Sequence, residues 1–357
     1  MKRILSTILA LTVVMSTAAV TGCGNGDSKG SENAEKVTLK VYNWGDYIGE
    51  DVISKFEEKY NINVVYDTFS DNEVMHTKLK SGGCDYDVAI PSDYMIKRMI
   101  DEGMVNKLNF DNIPNYKYID SKFKNLGFDP KNEYSVPYMW GTVGIIYNKK
   151  MVTDKVDSWN ILWNEKYKKQ VFMLDSQRDS IGITLKKLGF SLNTKKMDEL
   201  EKAKDELIKQ KEMGMVQSYV GDEVKDKMIG EEGAFAVVWS GDAVFMKREN
   251  PDLEYVIPKE GSNLWFDSMV VLSNTKHQKE AEQFINFMCE TDIAFENADY
   301  IGYSTPHTEA KKMMSEDLLN DIAAYPDDEQ IKNCEVFEDL ANTIKEYDRI
   351  WTEISAK

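Results

Sequence analysis

The sequence predicts an α/β protein with two lobes. Short apolar runs alternate with segments of helical period, which is the pattern of repeated β-α-β units with parallel strands. The chain has 357 residues. This length exceeds the size at which a single hydrophobic core keeps growing, so two lobes that share a cleft are expected. Its composition is globular, with 42% hydrophobic, 29% charged and 11% aromatic residues.

The N-terminus is predicted to lie outside the folded part. Two basic residues precede an apolar stretch, residues 4–20, and Cys23 follows small residues. This resembles a bacterial lipoprotein signal, cleaved before Cys23 and lipidated there; an uncleaved anchor or ordinary secretion are the alternatives. The sequence thus predicts a signal peptide over residues 1–22, a flexible tether over residues 23–36, and an extracytoplasmic, membrane-anchored protein.

Strands and helices alternate from residue 37 onward. The predicted strands are residues 37–41, 62–66, 86–90, 143–147, 171–174, 234–239 and 269–272. The predicted helices are residues 50–60, 71–80, 94–100, 195–211 and 281–288. The C-terminal part is mostly helical, and Trp351 is expected to dock it. Because ligand sites in open α/β sheets gather beyond the carboxyl ends of strands, the residues that follow each strand are the candidates for function.

Charge and metal-ligand spacing exclude several classes of function. The formal net charge of −17 disfavours binding to nucleic acid and is compatible with a cationic small molecule. The three cysteines after Cys23 match no zinc spacing, and the three histidines lie far apart in the sequence. No cofactor and no metal site are therefore predicted.

Aromatic and acidic residues recur together at the predicted strand ends. They are Trp44, Asp46 and Tyr47; Tyr94; Asp179; Trp239 and Asp242; Trp265 and Asp267; and Tyr303 in a later turn. A single tryptophan at such a place is more often core packing. Turns favour Asp but not Trp, however, so the repeated pairing favours a binding site.

Rings and carboxylates in this combination suit an alkyl amine. An ammonium that leaves water needs a carboxylate or equivalent acceptors, and each cation over a ring gains about 0.5 to 2 kcal/mol. Methylene groups between the nitrogens pack on ring faces. Several aromatics and three or four acids therefore predict a linear ligand with two or three positive charges.

Six short motifs occur in order between residue 37 and the C-terminus. They are residues 42–47 (YNWGDY), 91–94 (PSDY), 134–141 (YSVPYMWG), 238–242 (VWSGD), 265–268 (WFDS) and 301–306 (IGYSTP). This set resembles the spermidine/putrescine-binding proteins of bacterial polyamine ABC importers. The resemblance implies no enzyme activity, a monomer, a polyamine ligand and the permease of an ABC importer as the partner.

The resemblance also implies a two-lobed type II periplasmic-binding-protein fold, with two mixed sheets flanked by helices and a ligand cleft between the lobes. Lobe 1 is expected to contain residues 37–141 and 267–310, and lobe 2 residues 142–266 and 311–357. By motif position the ligand-binding residues are Trp44, Asp46, Tyr47, Ser92, Tyr94, Asp179, Trp239, Asp242, Trp265, Asp267 and Tyr303.

Departures from the family pattern leave the choice of polyamine open. Members that prefer spermidine carry an acid where this chain has Ser176, and a Gln where it has Phe337. Asp242 instead resembles the putrescine-specific members. Asp46, Asp242 and Asp267 suffice for a diamine, and Asp179 is available for an additional nitrogen.

Two other functions remain as alternatives. A receptor of the same fold for choline or thiamine would also use rings, although a single quaternary amine needs fewer acids. A secreted hydrolase is the other class, since Ser-x-x-Lys strings occur at Ser121 and Ser273. The related acyl-enzyme motifs stand in the wrong order for such an enzyme, and the sequence contains no P-loop motif. A G-x-S-x-G string occurs at residues 26–30, but it lies in the predicted tether and does not follow a strand, so it is not a nucleophile elbow.

Overall fold

A computed structural model describes residues 36–357. These form one compact unit in which nine strands share one curled sheet. The strands are β1 (Thr38–Trp44), β2 (Asn63–Phe69), β3 (Val88–Ala89), β4 (Ser135–Asn148), β5 (Val171–Leu174), β6 (Val216–Val220), β7 (Phe235–Trp239), β8 (Leu253–Val256) and β9 (Leu264–Val271). The strand order is β2-β1-β3-β9-β4-β7-β5-β6, with β8 paired to β4.

Thirteen α-helices accompany the sheet within the described residues. They are α1 (Val52–Tyr60), α2 (Asn72–Lys80), α3 (Asp93–Asp101), α4 (Gln177–Lys187), α5 (Met197–Glu212), α6 (Val224–Ile229), α7 (Ser240–Glu249), α8 (Gln278–Met288), α9 (Thr291–Ile301), α10 (Thr308–Met313), α11 (Glu316–Leu319), α12 (Asp328–Ile331) and α13 (Ile344–Ser355). None of the described helices is long and apolar enough to cross a membrane. The predicted lipidation site, Cys23, lies outside the described residues.

The sheet has two parts that meet within β4. The first half of β4, up to Thr142, pairs antiparallel with β9. From Val143 onward the strand pairs instead with β7 and β8. The parallel pairing predicted from the sequence is confirmed on both sides, with β1 paired to β2 and β3 on one and β5 paired to β7 on the other. Strand β5 also pairs parallel with β6, a strand that the sequence pattern did not predict. The fold is therefore a mixed α/β fold with two lobes.

Strand β4 is longer than the predicted strand at residues 143–147. It begins at Ser135, although Pro137 lacks the N–H group that a ladder needs. The β4–β9 register shifts between Pro137 and Met139, which accommodates the proline. Both faces of the strand are almost entirely buried. Tertiary packing therefore makes this segment a strand although Pro137 disfavours one.

The predicted helices are confirmed, with ends shifted by at most three residues. Helix α2 begins where Asp71 accepts a hydrogen bond from the backbone N–H of Val74, a typical N-cap. Helix α1 ends at Asn61, which has a φ of 55°. Helix α13 buries Tyr347, and Trp351 lies edge-on to Tyr219, so the expected docking of the C-terminal helix is confirmed.

Candidate functional site

The predicted binding residues lie where strands of both parts of the sheet end or begin. Trp44 ends β1, and Ser92 and Tyr94 begin the turn and helix after β3. In the other part of the sheet, Asp179 lies in the first turn of α4 after β5, and Trp239 ends β7. The remaining residues lie close to these positions: Asp46, Tyr47, Asp242, Trp265, Asp267 and Tyr303.

Asp267 is a buried carboxylate with one free oxygen. It is 6% exposed, and its Oδ2 accepts a hydrogen bond of 2.8 Å from the Tyr47 hydroxyl. Its Oδ1 has no hydrogen-bond partner among the described residues. Burial raises the pKa of Asp267 to about 7, although the nearby Ser92 and Tyr47 hydroxyl groups oppose this shift. A buried, unfilled acceptor of this kind is suited to an incoming donor.

Three aromatic rings form a wall beside Asp267. The Tyr303 ring is edge-on to the Tyr47 ring at 5.5 Å and to the Trp265 ring at 5.1 Å. Gly241 allows Tyr303 to approach, because a Cβ atom at position 241 would lie 2.3 Å from the Tyr303 ring. The indole Nε1 of Trp265 is buried without an acceptor in the described structure. The wall thus offers ring surface and one unused donor.

Asp242 forms a second buried acid, on the first turn of α7. It is 7% exposed. Burial raises its pKa to about 7, although the nearby charge of Lys225 opposes the shift. The charges of Asp242 and Asp267 both raise the pKa of Tyr303, so both acids lie near that residue.

Asp179 is a third buried acid with more hydrogen-bond donors around it. The Ser176 hydroxyl donates to its Oδ2 at 2.7 Å, and the Asn263 amide donates to its Oδ1 at 3.2 Å. Burial nevertheless raises the pKa of Asp179 above its usual range. Its charge also contributes to the raised pKa of Asp267. Asp179, Asp267 and Asp242 therefore form a row of buried carboxyl groups.

Trp44 and Asp46 lie at the outer end of this row. The Trp44 indole donates to the Ile90 carbonyl at 2.9 Å. Asp46 has a φ of 45°, and its side chain is 77% exposed. Asp46 is therefore far more exposed than the other predicted acids.

Ser92 and Tyr94 are held by helix α2. The Asn72 amide donates to the Ser92 hydroxyl at 3.1 Å, and the Tyr94 hydroxyl donates to Glu73 at 3.0 Å. The Arg178 guanidinium lies 4.8 Å from the centre of the Tyr94 ring. The Tyr94 ring therefore already forms a cation–π contact with a charged side chain of the protein, that of Arg178.

Sequence reasoning missed several polar residues of the site. They are Asn72, Glu73, Asp93, Arg178, Asp222, Lys225 and Asn263. Arg178 directly precedes the predicted Asp179 in the sequence, so its position was a usable signal. Lys225 had none, because it lies in a short charged segment that resembles an exposed helix. Groups of three or more potential metal ligands do not occur among residues 36–357.

The chain belongs to a family of bacterial extracellular solute-binding proteins, whose model matches residues 51–330. It is 35% identical to the spermidine/putrescine-binding periplasmic protein of Salmonella typhimurium, over 89% of this chain and 92% of that protein. The family is one of transport proteins that bind solutes.

Two solved structures are similar over nearly their whole length. One, from Listeria monocytogenes, is provisionally described as a spermidine/putrescine ABC transporter; it has a TM-score of 0.86 and 43% identity, covering 89% of this chain and 98% of that one. The other is a spermidine/putrescine ABC transporter substrate-binding protein of Streptococcus pneumoniae, with a TM-score of 0.77 and 41% identity, covering 90% and 99%. The fold is therefore the two-lobed type II periplasmic-binding-protein fold.

Proposed function

We propose that this protein captures a linear polyamine, spermidine or putrescine, and delivers it to an ABC importer. The observation that carries the proposal is the free Oδ1 of Asp267, buried beside the wall of Tyr47, Trp265 and Tyr303. An ammonium placed there would donate to this oxygen, and its methylene chain would pack against the rings. The relatives named for spermidine and putrescine support the same ligand class.

The row of buried acids supports a ligand with several charges. Asp179, Asp267 and Asp242 all have raised pKa values because burial disfavours their charged forms. The charged form of a buried carboxylate is stabilised most by a cation that binds beside it. The ligand-binding set remains Trp44, Asp46, Tyr47, Ser92, Tyr94, Asp179, Trp239, Asp242, Trp265, Asp267 and Tyr303.

The proposal also covers the location of the protein, its lipid anchor, its two lobes and its transporter partner. The protein acts outside the cytoplasm as a monomer without catalytic activity, anchored to the membrane by lipid on Cys23. Residues 37–141 with 267–310 form lobe 1, and residues 142–266 with 311–357 form lobe 2. The lobes close over the ligand by a hinge motion, and the closed form docks on the permease.

Titration calorimetry tests the function directly. The purified protein without its signal peptide is titrated with putrescine, spermidine, spermine, choline and thiamine. We expect micromolar or tighter affinity for at least one polyamine, about −8 kcal/mol or better, and weaker binding of choline and thiamine. Binding of choline or thiamine alone would replace the polyamine proposal with the receptor for another cation. Hydrolysis of any substrate in a panel of esters and glycosides would instead support the hydrolase alternative.

A further inference from the structure

Lys225 brings a positive charge of the protein itself into the candidate site. It lies on α6, and its side chain is 18% exposed. Its Nζ atom is 3.3 Å from Oδ2 of Asp46 and 3.9 Å from Oδ1 of Asp242. Both acids belong to the proposed binding set. Lys225 therefore contacts the groups that an ammonium of the ligand would use.

Lys225 is held less closely than other partly buried lysines of the chain. Lys186 and Lys187 form ion pairs of 2.7 and 2.8 Å with their glutamates. The Lys225 ammonium donates a hydrogen bond of 3.3 Å to Asp46, whose side chain is largely exposed, and lies 3.9 Å from the buried Asp242. A ligand ammonium that pairs with either acid must therefore compete with Lys225.

The charges around Lys225 keep it protonated. A third acid, Asp222, lies beside the turn after β1, because its Oδ2 is 3.6 Å from the place a Cβ atom would take on Gly45. Burial lowers the pKa of Lys225, but the charges of Asp242, Asp222 and Asp46 raise it above its usual value. One ammonium thus faces three carboxyl groups.

This arrangement divides the row of acids into two kinds of position. Asp179 and Asp267 have no cation in an ion pair in the described structure, whereas Asp46 and Asp242 already pair with Lys225. The sequence-based assignment of a diamine to Asp46, Asp242 and Asp267 did not include this internal cation. With Lys225 in place, Asp179 and Asp267 are the two acids of the row that remain available to the nitrogens of a diamine.

We propose that Lys225 occupies the Asp46 and Asp242 end of the site as a built-in ammonium and selects against ligands with a third charged nitrogen. The proposal rests on the proposed polyamine function and deepens it. A triamine must displace Lys225, or share its acids, to place its third nitrogen. A diamine meets no such competitor at Asp179 and Asp267.

The test compares putrescine and spermidine affinities by calorimetry in the wild type and three variants. Lys225→Met removes the ammonium and keeps the length of the side chain, Lys225→Arg keeps the charge, and Lys107→Met is the control. Lys107 forms an exposed ion pair with Glu133, and its replacement changes the net charge equally. For Lys225→Met we expect about tenfold tighter binding of spermidine, about 1.4 kcal/mol, and little change for putrescine. The other two variants should keep the wild-type affinity ratio.

Two results would overturn this role of Lys225. An equal gain for both ligands would mean that Lys225 acts only through the overall charge, and unchanged affinities would mean that it does not compete. Circular dichroism confirms that each variant is folded, and Lys225→Gln provides a second neutral side chain. Absence of polyamine binding by the wild type would instead refute the proposed function, so the two failures are distinguishable.

Discussion

Asp267 illustrates how a single residue can favour binding at the cost of stability. Burial raises its pKa from about 3.8 to about 7, so keeping it ionised in the free protein costs free energy. Each pKa unit corresponds to about 1.4 kcal/mol. The folded-state pKa is raised, so this cost grows as the pH rises from about 4 to 7 and is complete above 7. A bound ammonium would offset it.

Replacement of Asp267 by Asn should therefore separate binding from stability. Asn can still accept the Tyr47 hydrogen bond, but it carries no charge. We expect polyamine affinity to fall by about 2 to 5 kcal/mol, while the free protein gains about 2 to 4 kcal/mol of stability at pH 8 and less at pH 5. Calorimetry and thermal denaturation measure the two effects. Asp101→Asn, an exposed acid paired with Lys97, is the control, and a less stable Asp267→Asn protein would contradict the argument.

The same acids predict the pH dependence of binding. Asp242 and Asp267 have pKa values of about 7 in the free protein, and each must be ionised to pair with an ammonium. Protons compete below pH 7, so affinity should fall by about tenfold per carboxyl group between pH 8 and pH 6. Titrations at both pH values measure the loss. In Asp267→Asn the loss of affinity between pH 8 and pH 6 should be about tenfold smaller than in the wild type. An equal loss in the variant and the wild type would exclude Asp267 as the titrating group.

At the residue scale, sequence patterns predicted the acidic and aromatic residues but not their hydrogen bonds and ion pairs. Trp44, Trp239 and Trp265 were predicted as site residues because turn chemistry favours Asp but not Trp. The free oxygen of Asp267 and the contacts of Lys225 depend on neighbours from distant parts of the chain, such as Tyr47 and Asp46. Such contacts are set by tertiary packing, which local periodicity does not encode.

At the scale of elements, the start of α7 positions the aromatic wall. Gly241 follows Trp239 at this helix start, and its missing Cβ leaves room for Tyr303. Because Tyr303 in turn contacts Tyr47 and Trp265, the spacing of the wall depends on one glycine.

Gly241→Ala is expected to weaken binding by displacing Tyr303. The added methyl group would lie 2.3 Å from the ring, so the ring must move, and overpacking of this kind costs about 1 to 3 kcal/mol. Calorimetry should show at least a fivefold loss of affinity. Gly127→Ala is the control because no atom lies within 4 Å of its Cβ position. Unchanged affinity for Gly241→Ala would mean that the wall does not hold the ligand.

The central strands were the elements least accessible from the sequence. Residues 143–147 have a clear apolar pattern, whereas the first half of β4 contains Pro137 and two aromatic residues, Tyr138 and Trp140, and resembles a loop. Pairing with β9, some 120 residues later in the chain, makes it a strand. Helix periodicity is local and was therefore predicted well, while antiparallel pairing between distant strands was not.

At the scale of the whole molecule, an ion pair joins helix α3 to the segment that precedes α13, two parts of the chain that are far apart in the sequence. Arg98 on α3 donates through Nε and Nη2 to Oδ1 of Asp339 at 3.1 and 2.7 Å. The two side chains are 14% and 21% exposed, so solvent screens this pair less than a surface pair. Under the proposed lobe boundaries this ion pair joins lobe 1 to lobe 2.

Arg98→Met should therefore weaken binding without contacting the ligand. Removal of the pair destabilises the closed form, so we expect a three- to thirtyfold loss of polyamine affinity, about 0.7 to 2 kcal/mol. Solution X-ray scattering should show a larger radius of gyration at subsaturating ligand. Lys97→Met provides the control on the same helix, since Lys97 pairs with Asp101 one turn away. If both variants bind alike, the ion pair does not contribute to closure.

The position of β9 also has a consequence for how the chain folds. This strand lies between β3 and β4 in the sheet, yet it follows β4 by more than a hundred residues in the sequence. As the chain leaves the ribosome, β1 to β4 are available early but lack the strand that joins them. Strands β1 to β3 therefore cannot join β4 in the sheet until residue 271 has been made, so this part of the fold is completed late in synthesis.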